Sequence, residues 1–382
     1  MKRIGLVSEI FPPRHGGSGR WFSEIYRRFP QGSVVAIVGE HDASDIHDRS
    51  FPHRIHRVGL FSREWGLRSV VGLKYYFRIW RHLRGLVRQE GIDEIHCGRI
   101  LPEGLAALLV RLSQGVPYVC YVHGEDVEGA STSRELTLLT RLVIRYASRI
   151  ICNSQNTLRI LQENWNATEA QLTVMTPGVD IEHFKPDAAS KRPENWANSP
   201  VVLTVGRLQK RKGHDVMIQA LPQIHRSFPD LLYVIVGGGE ELDFLRGLSK
   251  KLGVEQQVQF VGEISDDEMV NYYRHCDLFA LPNRRVGNDD EGFGMVLLEA
   301  QACGTAVLAG DSGGTRETME PGVSGVLVDC TQPEPLALAV CELMGDPDRR
   351  AAMGQAGRQR MEQLFAWKSL ARSAEVIFDI RE

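Results

Sequence analysis

Two α/β domains, each a doubly wound parallel sheet and the pair facing a central cleft, are what this 382-residue sequence predicts. Three observations carry that expectation. The chain is longer than the roughly 250–300 residues at which a single hydrophobic core stops growing. Short β-branched runs alternate with longer helical patterns from one end to the other, the mark of βαβ units and parallel sheets. The charge is also divided: residues 1–165 hold 23 Lys and Arg against 16 Asp and Glu, a net +7, and the remainder comes to −10. A basic front and an acidic back imply two parts that meet different partners.

Taken in order, the predicted strands are RIGLVS, VVAIV, EIHC, YVCYVH and RIICNS in the first half. VVLTVG, LLYVIVGGG, VQFVG, DLFALP, TAVLAG and GVLV follow in the second. The opening MKRIGLVSEIF runs from two basic residues into a short strand and an FPP break, too short an apolar region for a signal peptide. No window approaches the roughly eighteen apolar residues of a membrane span. The stretch from Phe184 to Pro200, FKPDAASKRPENWANSP, lacks periodicity and carries three prolines, which reads as the connection between domains. The expected division is residues 1–183, then 184–365, with a terminal amphipathic segment at 366–382. A composition of 43% hydrophobic and 24% charged residues excludes a disordered or fibrous chain. The seven cysteines are scattered singly with no CxxC pair, a pattern that favours reduced thiols in a cytoplasmic protein over disulfides or zinc.

Ligands of doubly wound sheets sit beyond the carboxyl ends of the strands, so the loops that follow strands are the candidate sites. In the first, EIFPPRHGGSGRW, Gly16, Gly17 and Gly19 open a helix expected to begin near Arg20, and glycines there let backbone amides approach a phosphate. The spacing departs from the dinucleotide fingerprint, although Glu40 follows the second strand as an acid would in such enzymes. A dinucleotide-dependent oxidoreductase therefore stays open as an alternative. In the second loop, TVGRLQKRKGHD, Arg207 and Lys212 offer a planar fork and a flexible ammonium near a strand end, suited to a diphosphate. A solvated basic loop explains the same residues equally well. The third feature is EGFGMVLLE: with a helix starting near Gly294, Glu291 lies beside its free amides and Glu299 about 7 Å further along. Two carboxylates so placed suit vicinal hydroxyls at two points of an elongated ligand, and the glycines flanking Phe293 leave room for that ligand against the backbone.

GRLQKRKG, the segment EGFGMVLLE followed by AQACG, the Ser312–Gly314 triplet SGG and the PGVD at Pro177–Asp180 together resemble the family 4 retaining glycosyltransferases of the two-Rossmann GT-B fold. The strip from LPNRR to AGDSGG is most similar to the phosphatidylinositol mannosyltransferases. The resemblance implies that Glu291 contacts hydroxyls of the transferred sugar and that the amides of Phe293, Gly294 and Met295 hold sugar and phosphate. It implies that Glu299 binds the ribose, that Arg207 and Lys212 grip the diphosphate, and that the Gly16–Gly17 turn closes over it. Ile264 falls where backbone groups meet the nucleobase, and His123 matches a histidine near the reacting centre; a histidine after an apolar strand is otherwise an ordinary core or loop residue. It further implies that the terminal helix packs back on the first domain. The activity implied is transfer of a hexose, with GDP-mannose the preferred donor and UDP-sugars the alternative, to a saccharide or lipid-linked acceptor, with retention. A non-catalytic sugar-nucleotide binder is a third possibility. No cofactor and no metal are expected, despite Asp289 and Asp290 beside Glu291. Arg316, where relatives carry proline, and the charged loop Arg284–Asp290 depart from the pattern.

Leu73–Arg88, LKYYFRIWRHLRGLVR, sets Lys74, Arg78, Arg81, Arg84 and Arg88 largely on one side at helical spacing, interleaved with aromatic and apolar residues. It reads equally as an interfacial helix for an anionic membrane surface and as a surface helix whose aromatics are core. The sequence pI near 6.5 and the lack of a recognition motif argue against nucleic acid.

Overall fold

In a computed structural model, all residues are described except His15, Ala43, Ala197, Arg381 and Glu382. His15 of the first glycine loop, Ala197 of the proline-rich stretch and the last two residues of the terminal segment thus lie outside the described residues. The chain divides into two compact units, Met1–Pro177 with Trp367–Glu382, and Gly178–Ala366.

The first unit holds a seven-stranded parallel sheet. Its strands are β1 (Ile4–Ser8), β2 (Val34–Gly39), β3 (Arg54–Val58), β4 (Glu94–Cys97), β5 (Tyr118–Val122), β6 (Arg149–Cys152) and β7 (Leu172–Val174), in the spatial order β3-β2-β1-β4-β5-β6-β7. The second unit holds a six-stranded parallel sheet. Here β8 (Val201–Val205), β9 (Leu232–Val236), β10 (Val258–Gly262), β11 (Leu278–Leu281), β12 (Val307–Gly310) and β13 (Val326–Val328) run in the order β10-β9-β8-β11-β12-β13. The central strands are buried along their whole length, which is why they read as continuous apolar runs rather than alternating ones. The edge strands β3 and β7 are half exposed, and their charged or mixed composition hides them from a search for apolar runs. In each sheet the chain reverses its direction of travel between two neighbouring strands, β1 and β4 in one and β8 and β11 in the other. Loops leaving those strands at their carboxyl ends part to opposite sides and open a crevice.

The stretch 184–200 is not a free connection. Trp196 is fully buried against Tyr272, and the Arg192 guanidinium lies over the Trp196 ring while donating to the carbonyls of His275 and Ser199. Prolines remove regular hydrogen bonds, yet a buried indole and a many-bonded arginine fix the segment to the second unit. The passage between units falls at Pro177–Gly178, where Val179 pairs with Ala366 and donates to the carbonyl of Phe365 at 2.9 Å.

The helix Trp367–Phe378 belongs to the first unit and packs on the helix Gly17–Tyr26. It buries Trp367, Ala371, Ala374 and Phe378, one stripe at helical spacing. The Phe378 ring centroid lies 4.4 Å from that of His96, itself fully buried between the Tyr26 hydroxyl at 2.6 Å and a Glu94 oxygen at 3.0 Å. Lys2 ties the helix down by donating to the Phe378 carbonyl and pairing with Glu94.

Candidate active site

The loop after β8 is built to hold charge. Gly213 adopts φ 75°, and a Cβ there would fall 1.7 Å from the Pro282 carbonyl oxygen, so only glycine lets this loop close on the one after β11. Between Gly206 and Gly213 the chain makes the single turn Lys210–Lys212, which buries Arg211 and Lys212 and leaves Arg207 exposed. The Lys212 side chain runs across Gly206.

The loop after β11 delivers the matching carboxylates. Its root is fixed by Arg284, which donates to both oxygens of Asp215 at 2.8 and 2.7 Å and through its backbone to the Arg211 carbonyl. The charged loop Arg284–Asp290, which the sequence leaves as a departure from pattern, is thus largely a brace for its neighbours. Asp290 accepts from the Ser312 hydroxyl and from the Glu291 amide, and Gly314 donates to the Glu291 carbonyl at 2.9 Å. Gly313, at φ 65°, packs so closely that a Cβ would lie 2.0 Å from that same carbonyl oxygen. The SGG triplet is therefore a clasp on the backbone of Glu291.

So held, the buried Glu291 carboxylate meets Arg211 Nη1 at 2.7 Å and Lys212 Nζ at 2.5 Å, both on Oε2, while Arg211 Nε lies 3.1 Å from Asp289. Burial alone would raise the Glu291 pKa. The charges of Lys212 and Arg211 outweigh it, with a smaller contribution from Arg207, and hold the carboxyl below its ordinary range. Gly294, at φ 90°, then starts the helix Met295–Ala302, whose end carries no side-chain cap. No side chain caps its first amides, and the helix dipole favours an anion at such a start. Phe293 and Gly294 are buried and Met295 is half-buried. One turn on, Glu299 is buried and accepts from the Tyr273 hydroxyl at 2.8 Å. Ile264 is half-buried in the loop after β10, just ahead of the Ser265 capping box.

The structure thus brings Glu291 and Lys212 into direct contact, with Arg207 exposed on the same loop. It adds Arg211 and Tyr273, neither of which the sequence reading named. Residue type does not single either out: Arg211 is one of several cations in a basic run, and Tyr273 lies in the helix Asp266–His275 among polar and charged neighbours.

In the first unit, the glycine loop starts its helix at Gly17, three residues before the expected Arg20, with Gly16 as the cap. His123 follows β5; its Nε2 lies 2.9 Å from the Gly98 carbonyl oxygen, so that nitrogen carries the hydrogen. Trp21 and Phe22 meet its ring edge-on at 5.8 and 5.9 Å. The crevice between β1 and β4 holds a cluster unseen in the sequence. Arg99 donates to Glu9 at 2.6 Å and to Glu103 at 3.1 Å, Arg14 donates to Glu9, and the Glu9 amide donates to Glu103. The Trp65 ring covers Arg99.

The helix Val70–Glu90 divides the two readings of its sequence. Tyr75, Tyr76, Ile79, Leu83, Leu86 and Val87 are core. Val70, Val71, Leu73 and Phe77 are exposed, together with Lys74, Arg78, Arg81 and Arg88. Phe77, Arg78, Arg81, His82, Gly85, Leu86 and Gln89 line a groove of about 490 Å³. Among the described residues, no helix is long and apolar enough to cross a membrane, and no group of three His, Cys, Asp or Glu side chains could hold a metal ion.

Two parallel-sheet units and a cationic turn set against a glutamate at a helix start are features of a nucleotide-sugar transferase class. Comparison with known proteins agrees. The sequence profile described as Glycosyltransferase Family 4 matches residues 15–183, and that described as Glycosyl transferases group 1 matches residues 187–360. The GDP-mannose-dependent alpha-(1-6)-phosphatidylinositol monomannoside mannosyltransferase of Mycolicibacterium smegmatis is 32% identical, over 99% of this chain and 98% of its own. The D-inositol 3-phosphate glycosyltransferase of Thermobispora bispora is 34% identical over 78% and 75%. Among solved structures, HepE of Anabaena in complex with UDP and glucose superposes with a TM-score of 0.82 at 20% identity, covering 99% of this chain and all of that one. Sucrose-phosphate synthase of Thermosynechococcus elongatus gives 0.83 at 22% identity, over 99% and 98%. The chain belongs to the family 4, group 1 glycosyltransferases, with the GT-B fold and mannosyltransferase homologues. That membership sets the oxidoreductase alternative aside.

Proposed function

We propose that this protein transfers a hexose, mannose from GDP-mannose, to a saccharide or lipid-linked acceptor with retention of anomeric configuration and without a metal or other cofactor. The observation that carries the reading is the buried, charged Glu291 set between Lys212 and the uncapped helix at Met295. In this reading Glu291 holds sugar hydroxyls, and the amides of Phe293, Gly294 and Met295 hold sugar and phosphate. Lys212 and Arg207 neutralise the diphosphate as it leaves. Glu299 takes the ribose, and the backbone at Ile264 the nucleobase. The Gly16–Gly17 turn and His123 are the groups of the first unit that meet the donor in turnover. The driving term is electrostatic: charge growing on the departing diphosphate is met by fixed cations and peptide dipoles that need no reorganisation. A phosphate oxygen then accepts the acceptor's proton on the same face.

The acceptor partner is read as membrane-borne. The exposed Val70, Val71, Leu73 and Phe77 beside Lys74, Arg78 and Arg81 form a surface suited to anionic lipid, and a cytoplasmic protein at the inner face of the membrane fits it.

A thermal-shift panel of GDP-, UDP- and ADP-linked sugars tests the donor, since a ligand of the native state raises its midpoint with occupancy. GDP-mannose is expected to give the largest shift. A larger shift with a UDP-sugar moves the assignment to that donor, and no donor hydrolysis with any of them leaves a sugar-nucleotide binder. Proton NMR of the product reads the anomeric configuration, and activity undiminished by chelator is the expected metal result. Sedimentation with anionic vesicles, compared with neutral ones, tests the membrane surface; binding insensitive to salt and lipid charge counts against it.

A further inference from the structure

Arg211 has no part in the roles above, yet its surroundings are the most closely defined of the three cations. Its side chain is 5% exposed and lies between two carboxylates, with Nη1 donating to Glu291 at 2.7 Å and Nε in a charge contact with Asp289 at 3.1 Å without a hydrogen bond. Its backbone is fixed as well, since its carbonyl accepts from Arg284, whose own side chain is locked in the two-pronged pair with Asp215. Lys212 is held differently. It shares the same Oε2 of Glu291, but as a point charge on a four-carbon stem with rotatable donors. An arriving diphosphate with about two negative charges competes for that ammonium far better than for a guanidinium already engaged on two sides.

Were Lys212 the sole cation on Glu291, its departure would strand a buried carboxylate, and an uncompensated buried charge is strongly destabilising. We propose that Arg211 is the positioning residue that keeps Glu291 charged and aimed while Lys212 turns to the donor diphosphate. The two neighbouring cations thus divide the work, one retained by the glutamate and one released to the phosphate. Asp289 is the second anchor that keeps Arg211 from following. This role rests on the reading of Glu291 and Lys212 proposed above.

The test measures kcat/KM for GDP-mannose from release of GDP across pH, and donor Kd by calorimetry, in Arg211→Met, Arg211→Lys and Lys212→Met. Each is made in the parent and in a Glu291→Gln background. Arg211→Met is expected to lower kcat/KM by about tenfold to a hundredfold, as loss of one member of a buried charge pair does, and to move the acid limb of the rate to higher pH. Arg211→Lys recovers part of both. With Glu291→Gln present, Arg211→Met adds less than about threefold because the group it serves is already gone, whereas Lys212→Met keeps its loss of donor affinity. Equal cost of Arg211→Met in both backgrounds with an unmoved acid limb overturns the proposal, because a donor grip or a general loop brace gives that pattern. If Arg211→Met does not fold, the acid limb of Arg211→Lys decides: a limb coincident with the parent's overturns it. A parent that releases no nucleoside diphosphate from any donor removes the transferase reading first, and this role with it.

Discussion

The crevice between β1 and β4 and the crevice between β8 and β11 are topological equivalents lined by the same residue types, yet they use charge in different ways. In the first, Glu9 and Glu103 pair with Arg99 and Arg14, and an indole covers Arg99. In the second, Arg211 and Lys212 converge on one glutamate beside an uncapped helix, with Arg207 exposed on the same loop as the two cations. A cluster that pairs two against two buys little but architecture; one that leaves an arginine exposed beside its ion pairs, on the loop facing a helix start, is prepared for an anion. The lesson is that strand-end position alone does not distinguish a site, and that a cation left exposed beside the buried pairs does.

The comparison breaks first at Arg99. Arg99→Ala strands the carboxylate of Glu103 and is expected to cost about 3–5 kcal/mol of stability, read by denaturant unfolding. A variant that unfolds like the parent but loses turnover would turn the first crevice into a working site. Lys212→Ala is the counterpart: kcat falls by about 10²–10³ for a lost charge-stabilising donor while the melting midpoint stays near the parent's. Turnover within threefold of the parent would remove Lys212 from the chemistry.

Acid separates the regions on a gentler scale. His214, at the start of the helix that follows the Lys212 turn, is fully buried, and desolvation lowers its pKa to about 4. The unfolded chain takes up that proton near 6.5, so between about 6.5 and 4 the unfolded state binds more protons and stability falls as the pH falls. The slope of midpoint against pH is expected to be shallower in His214→Gln; an unchanged slope would assign the acid sensitivity elsewhere. The smallest effect is expected at Tyr273. Tyr273→Phe removes one hydrogen bond to a charged group, about 1.5–3 kcal/mol, and should weaken nucleoside diphosphate binding about tenfold with little change in kcat. A fall in kcat at constant affinity would take Glu299 away from ribose binding.

Most of the fold was legible because the central strands are apolar on both faces and advertise themselves, whereas β3, with RIHRV, and β7, with LTV, lie at sheet edges where no such pattern is needed. The proline-rich stretch shows a related limit: aperiodicity marks irregular backbone, and says nothing of a buried Trp196. In the site, Glu291, Lys212 and Glu299 were visible from spacing and residue type. Arg211 was not, since what sets it apart from the rest of its basic run is a partner 80 positions away, and the Glu9–Arg99 pair joins residues 90 apart. Contacts of that range are a product of topology and leave no local trace.

The helix Trp367–Phe378 closes a unit whose other residues were laid down before Gly178. During synthesis at about 5–20 residues per second, Phe29, His96 and the face of the Gly17 helix wait on the order of ten seconds or longer before their cover leaves the ribosome. Through that interval the nascent chain shows an oily face to chaperones and to its neighbours on the polysome, so yield in the cell is set in part by how soon the helix Trp367–Phe378 arrives to cover it.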